Sequence, residues 1–188
     1  MDSEFMQIKK NHITKDWSGG TTTELYIYPE NSDYKKGNYQ FRLSTATVEI
    51  EESTFTPLPG VDRTLMVLEG NMELIHEGHH SAKLAPLDFD VFKGGWHTQS
   101  KGKCVDFNLM CKEGAKGELK GFQPSKNEEL ELTFDGLMNF LYVFSGSLEI
   151  DGKLISSRDF VQFDSVSKNV VTRAHEDSLF VQISLIKL

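Results

Sequence analysis

The chain is short of cysteine, of positive charge and of long apolar runs, and each shortage removes a class of function. Its two cysteines, Cys104 and Cys111, flank the apolar run 105–110. On a strand that odd spacing sends the thiols to opposite faces, which argues against a disulfide between them. Two free thiols suit a reducing cytosol. Lys and Arg number 20 against 28 Asp and Glu, a net charge of −8. A general nucleic-acid binder needs a basic face to neutralise phosphates, so that class is set aside. A small anionic ligand held by one or two buried arginines remains open, because net charge does not decide such a site. No run of 18 apolar residues is present to supply a transmembrane helix, and no membrane partner is expected. Residues 1–6 lack the apolar core of a signal peptide, which predicts a cytoplasmic location. The Glu4-Phe5 dipeptide is one that a common cloning site encodes. Residues 1–5 are therefore read as a cloning remnant, with the natural start at Met6.

What is present is a repeat. Leu65-Met66-Val67-Leu68-Glu69-Gly70-Asn71-Met72-Glu73-Leu74 reads like Leu141-Tyr142-Val143-Phe144-Ser145-Gly146-Ser147-Leu148-Glu149-Ile150, displaced by 76 residues. Asp88-Phe89-Asp90-Val91-Phe92 resembles Asp159-Phe160-Val161-Gln162-Phe163, and the run 105–109 resembles 179–183. Three blocks in one order, with length changes only between them, point to a duplication. The blocks are β-branched and aromatic, near period 2, and are separated by turns such as Pro57-Leu58-Pro59-Gly60 and Asp151-Gly152. No window carries a capped amphipathic helix. Thirteen phenylalanines suit the interior of a sandwich or small barrel. The expected organisation is an N-terminal unit over 6–111, a connector over 112–127 rich in Lys, Gly and Glu, and a C-terminal unit over 128–188. Strands over 21–28 and 39–49 are expected to complete the barrels by exchange.

A strand, a glycine, a second strand and an acidic-aromatic turn resemble the cupin pattern, and the order occurs twice. The fold class implied is all-β, a bicupin with two cupin-type barrels or jelly rolls in one chain. Metal-binding cupins place two histidines and a glutamate ahead of that glycine and a further histidine later. Here Arg63 stands at the glutamate position, residues 56–59 hold no histidine, and Asn139 takes the corresponding place in the second unit. Only His97 falls near the final histidine. A guanidinium has no lone pair to offer a cation, so no metal and no other cofactor is expected. The adjacent pair His79-His80 reads as a solvated turn.

Arg63 precedes an apolar strand and is expected to point into the first barrel. A buried arginine needs an anion. That anion is either internal, from Asp62, Glu24 or Asp106, or a ligand carboxylate. A second cluster is Trp17-Ser18-Gly19-Gly20-Thr21-Thr22-Thr23-Glu24, whose Gly-Gly step lets backbone N–H groups converge on an anion. The alternating Arg42, Ser44 and Ala46 share one strand face, and Asp106 and Asn108 share another. These segments, in this order, resemble the HutD/Ves family across about 9–188, with the specific motifs in 17–110. Ser18 departs from a frequent asparagine, and Leu87-Asp88-Phe89-Asp90 departs from the family's Phe-x-Gly-Asp turn. The resemblance implies a bacterial, cytoplasmic, metal-free bicupin associated with histidine utilisation. It implies sensing of a small carboxylate such as urocanate or a formyl- or formimino-glutamate. The ligand-binding set is then Arg63, Trp17, Thr21, Thr22, Glu24, Arg42, Asp62, His97, Asp106 and Asn108. Two other readings stand beside it. One is a metal-independent isomerase or lyase in which His97 or Glu24 is the acid or base. The other is a structural or protein-binding module with filled barrels. Monomer and homodimer are both compatible with the sequence.

Overall fold

The computed structural model describes residues 5–164 and 168–188, so positions 1–4 of the expected cloning remnant lie outside it. Nineteen strands and no helix form among the described residues. They group into two compact units, His12–Ala115 and a second that joins residues 5–11 to 116–188.

In the His12–Ala115 unit the strands are β2 (Ile13–Trp17), β3 (Gly20–Tyr28), β4 (Phe41–Val48), β5 (Glu52–Thr54), β6 (Asp62–Gly70), β7 (Met72–His76), β8 (Ser81–Leu84), β9 (Phe89–Lys93), β10 (Thr98–Lys101) and β11 (Cys104–Cys111). They form a large sheet in the order β2-β3-β4-β11-β6-β9 and a small one, β5-β10-β7-β8. The other unit holds β1 (Met6–Lys9), β12 (Lys116–Phe122), β13 (Glu129–Phe134), β14 (Met138–Ser145), β15 (Ser147–Ile150), β16 (Lys153–Ser156), β17 (Phe160–Phe163), β18 (Lys168–Ala174) and β19 (Leu179–Lys187). Its sheets run β12-β19-β14-β17-β1 and β13-β18-β15-β16. Each strand from β4 to β11 thus recurs eight places later with the pairings among these eight repeated, while β3 beside β4 and β1 beside β17 are particular to one unit each. The sequence repeat is a repeat of topology.

Composition explains the local choices. Central strands such as β6 and β14 read as almost unbroken apolar runs because consecutive residues are buried, not alternate ones. Strands of the small sheets alternate, as in β15 with Leu148 and Ile150 inward. The stretch expected as a connector differs from expectation, since 116–122 is a strand paired along β19. Its Lys and Glu side chains face solvent and only Leu119 is fully buried, so an edge strand has the composition of a linker.

The chain's first strand is not in the unit that follows it. Met6–Lys9 pairs antiparallel with Phe163–Phe160, and Met6 packs in a core with Phe134, Leu141, Val161 and Phe163. Met6→Ala is expected to cost about 2–5 kcal/mol, as for other buried large-to-small changes. A chemical unfolding curve checks this, and a change below the measurement error would show that β1 is dispensable.

Candidate functional site

The large sheet of the His12–Ala115 unit carries its polar residues on one inner face. Antiparallel register places Met110 opposite Arg42 on one side and Arg63 on the other. One step along, Asn108 faces Ser44 and Leu65, and Asp106 faces Ala46 and Val67. Residues spaced by two share a strand face, so the alternation seen in sequence brings these groups together. They line a cavity of about 380 Å³ with Trp17, Thr22, Glu24, Tyr34, Phe55 and others of the same unit.

The two arginines in this cavity differ. Arg42 is satisfied internally: its Nε donates to Glu24 Oε2 at 2.7 Å, its Nη1 donates to Ser44 Oγ at 3.1 Å, and Tyr34 covers its guanidinium at 4.3 Å. Arg63 is 7% exposed, lies over Phe55 and Phe92 at 4.7 and 5.2 Å, and its Nε has no hydrogen-bond partner among the described residues. Asn108 Oδ1 is likewise buried without a donor among them. Buried polar atoms in native proteins are nearly always paired, so two orphans on residues that line one cavity call for an explanation.

Burial acts on charge here. Desolvation pushes the Asp106 carboxyl up to about 7, against the pull of the Arg63 charge, and brings Arg63 down to about 10 against the pull of Asp106. The folded Asp106 therefore keeps a proton that the unfolded one has lost. Stability from this group is complete below the unfolded value of 3.8 and is lost as pH rises towards about 7. Urea unfolding between pH 4 and 8 should show stability falling with pH, and Asp106→Asn should flatten that slope. An unchanged slope in the variant would remove Asp106 as its source.

Seven of the ten sequence-derived positions meet at this cavity: Trp17, Thr22, Glu24, Arg42, Arg63, Asp106 and Asn108. Three do not line it. Thr21 occupies the alternate position to Thr22 on β3. Asp62, next to Arg63 on β6, is exposed and accepts from Lys93 Nζ at 2.6 Å. His97 is half exposed and lies 2.9 Å from Glu77, out towards solvent. Of the internal anions considered for Arg63, Asp62 is therefore taken by Lys93 and Glu24 by Arg42, leaving Asp106. Ser18 and Gly19 form the β2–β3 hairpin turn and Gly20 opens β3; Gly19 O accepts from Glu49 N at 2.8 Å, and neither glycine lines the cavity. Sequence reasoning missed Tyr34, Phe55 and Met110. Met110 follows from the β11 alternation, whereas nothing local marks Tyr34, which lies between β3 and β4. It also missed His76: His79 and His80 are exposed in the turn after β7, and His80 meets His76 at Asp90.

In the other unit the corresponding positions hold internally paired or apolar side chains. Asn139, at the position of Arg63, is fully buried and self-contained. Its Nδ2 donates to Gly136 O, and its Oδ1 accepts from Gly136 N and Ser184 Oγ. By register, Gln182 stands for Asn108 and donates to Thr133 O at 2.6 Å, while Phe180 stands for Asp106. Phe134 and Phe163 stack at 4.1 Å in the same core.

The family model described as HutD matches residues 9–179. Similar solved structures include a conserved protein of unknown function from Pseudomonas aeruginosa PAO1, at 22% identity and TM-score 0.77, covering 96% of this chain and 98% of that one. HutD from Pseudomonas fluorescens SBW25, solved in a formate condition, is 17% identical with TM-score 0.72 and coverage of 96% and 98%. A cupin 2 conserved barrel domain protein from Leptotrichia buccalis is 13% identical with TM-score 0.54 and coverage of 92% of each. At such identities the likeness shows a cupin-like fold. None of the curated proteins matches the chain significantly. The cavity's residues do not fit the metal that many cupins hold, since no imidazole lines it and two guanidiniums do.

Proposed function

We propose that this chain, which belongs to the HutD family, is a bicupin whose His12–Ala115 barrel binds a small carboxylate while the other barrel serves as packed scaffold. The observation that carries this reading is that Arg63, whose Nε is orphaned, lines a cavity large enough for a small molecule. A carboxylate on Arg63 supplies the missing acceptor, and charge-assisted pairing of this kind is about twice as strong as a neutral hydrogen bond. Asn108 Oδ1 then asks for an N–H or O–H elsewhere on the same ligand. Urocanate, formylglutamate and formiminoglutamate each combine a carboxylate with such a donor. The family's name favours a sensing role in histidine utilisation over an unrelated pathway.

Binding is favoured over catalysis because the groups suited to acid–base work are unsuitably placed. His97 is paired with Glu77 outside the cavity, and Glu24 is held by Arg42. A general base must reach the proton it abstracts.

A thermal-shift screen with formate, urocanate, N-formylglutamate and N-formiminoglutamate tests the proposal. At least one should raise Tm in a saturable way, by linkage of binding to folding. No saturable shift with any of them, at concentrations into the millimolar range, would overturn it.

A further inference from the structure

The cavity does not use a second cluster in the same unit. His76 ends β7, His80 follows four residues later across the turn into β8, and Asp90 sits on β9 in the other sheet. His76 Nε2 is 2.9 Å from Asp90 Oδ2, and His80 Nε2 is 3.0 Å from each Asp90 oxygen. One donor atom from each of the three lies within 4.8 Å of the others, the one such grouping among the described residues. We propose that His76, His80 and Asp90 form a site for a late first-row divalent cation, zinc above all, joining the β7–β8 hairpin to β9.

The donor set selects the ion. Two imidazoles and one carboxylate suit zinc and its neighbours, whereas calcium and magnesium demand oxygen ligands. Bonds of about 2.0–2.1 Å in a tetrahedron put ligand atoms about 3.3 Å apart, a few tenths of an ångström wider than the present hydrogen bonds. Three protein ligands leave a fourth position, which opens on the solvent side because His80 is 41% exposed while the His76 side chain is fully buried.

The surroundings prepare these residues. His76 Nδ1 lies 2.8 Å from Thr98 Oγ1. A hydroxyl both donates and accepts, so Thr98 tolerates either imidazole tautomer. While Asp90 accepts from Nε2, Nδ1 accepts from Thr98. With a cation on Nε2 the proton stands on Nδ1 and is donated to Thr98, the support that ligating histidines generally have. Phe92 at 4.4 Å and Trp96 at 5.6 Å hold the His76 ring, and His79 stacks on Trp96 at 3.8 Å, fixing the turn that carries His80. Val91 N donates to Asp90 Oδ1 at 2.9 Å and orients the carboxylate. The surface pairs His97–Glu77 and His175–Glu149 bring only one imidazole and one carboxylate together, and serve as internal controls.

The test uses the full chain without an affinity tag, stripped with a chelator and dialysed. Zinc binding is measured by equilibrium dialysis with metal analysis. Cobalt substitution reports four-coordination through its visible spectrum, and Trp96 fluorescence reports occupancy. One equivalent of zinc should bind, and His80→Ala and Asp90→Asn should each weaken binding by at least ~10-fold, the lower end for disturbing such a site. His97→Ala and His175→Ala should leave it unchanged. Absence of stoichiometric binding at micromolar zinc, or equal binding by His80→Ala, overturns the proposal. His80 is partly exposed, so its variant folds even where Asp90→Asn does not.

Discussion

An Arg63→Met chain should fold, unfold no more readily than the parent, and bind carboxylates far more weakly. The two halves of that expectation have one cause. Arg63 is buried and without a hydrogen bond on Nε, so the folded chain bears a desolvation cost that no internal pair fully offsets. Methionine keeps the stem volume against Phe55 and Phe92 and removes the charge. Asp106, already raised to about 7, rises further without the guanidinium and stays neutral near neutral pH. Breaking a buried charge pair between partners costs about 2–5 kcal/mol, roughly 30- to 4,000-fold in Kd. Calorimetric titration with the tightest ligand of the thermal-shift screen measures it. Retention of binding within threefold would move the anion site away from Arg63. The opposite variant, Asp106→Asn, should bind carboxylates at least as well as the parent, because it frees Arg63 from its one internal counter-charge.

The second large effect falls on the repeat glycines. Gly70 and Gly146 adopt φ of +79° and +78°, where the chain turns from the large sheet into the small one. A Cβ on Gly70 would stand 2.4 Å from Lys103 O, and one on Gly146 would stand 2.6 Å from Asp177 O and 2.2 Å from Ser178 Oγ. Either alanine substitution combines left-handed strain of about 1–3 kcal/mol with overpacking of about 1–3 kcal/mol. Gly152→Ala, at φ +72° with open space around it, carries the first part alone. Chemical denaturation of the three variants should rank Gly152→Ala well above the other two in stability. Equal losses would mean that backbone strain alone governs all three.

The same glycines show why the fold was legible. The repeated blocks contain the strands that cross from sheet to sheet, and their apolar runs and turn residues are set by local sterics and burial. The displacement of strand order by eight places follows from them. Legibility fell where neighbours decide. Residues 116–122 carry a linker's composition because an edge strand buries little, and the partner that makes it a strand is β19. At the site, alternation located Arg42, Asp106 and Asn108, since a strand's two faces are a property of spacing. Asp62 and Thr21 share motifs with lining residues yet occupy alternate positions, so motif membership overrode spacing there. Tyr34 lies on no strand, and His76 is joined to Asp90 only by the approach of two sheets. Such contacts have no sequence period.

The place of Met6–Lys9 beside Phe160–Phe163 bears on the order of synthesis. A ribosome adds about 5–20 residues per second, so roughly 10–30 s pass between the appearance of the first strand and that of its partner. Through that interval Met6 has no β17 to pair with, while His12–Ala115 has every strand of its own sheets. The His12–Ala115 unit can mature on the growing chain, whereas the other unit waits for β19, the last strand of its sheets to be made. A break anywhere between β1 and β12 would sever β1 from the unit to which it belongs.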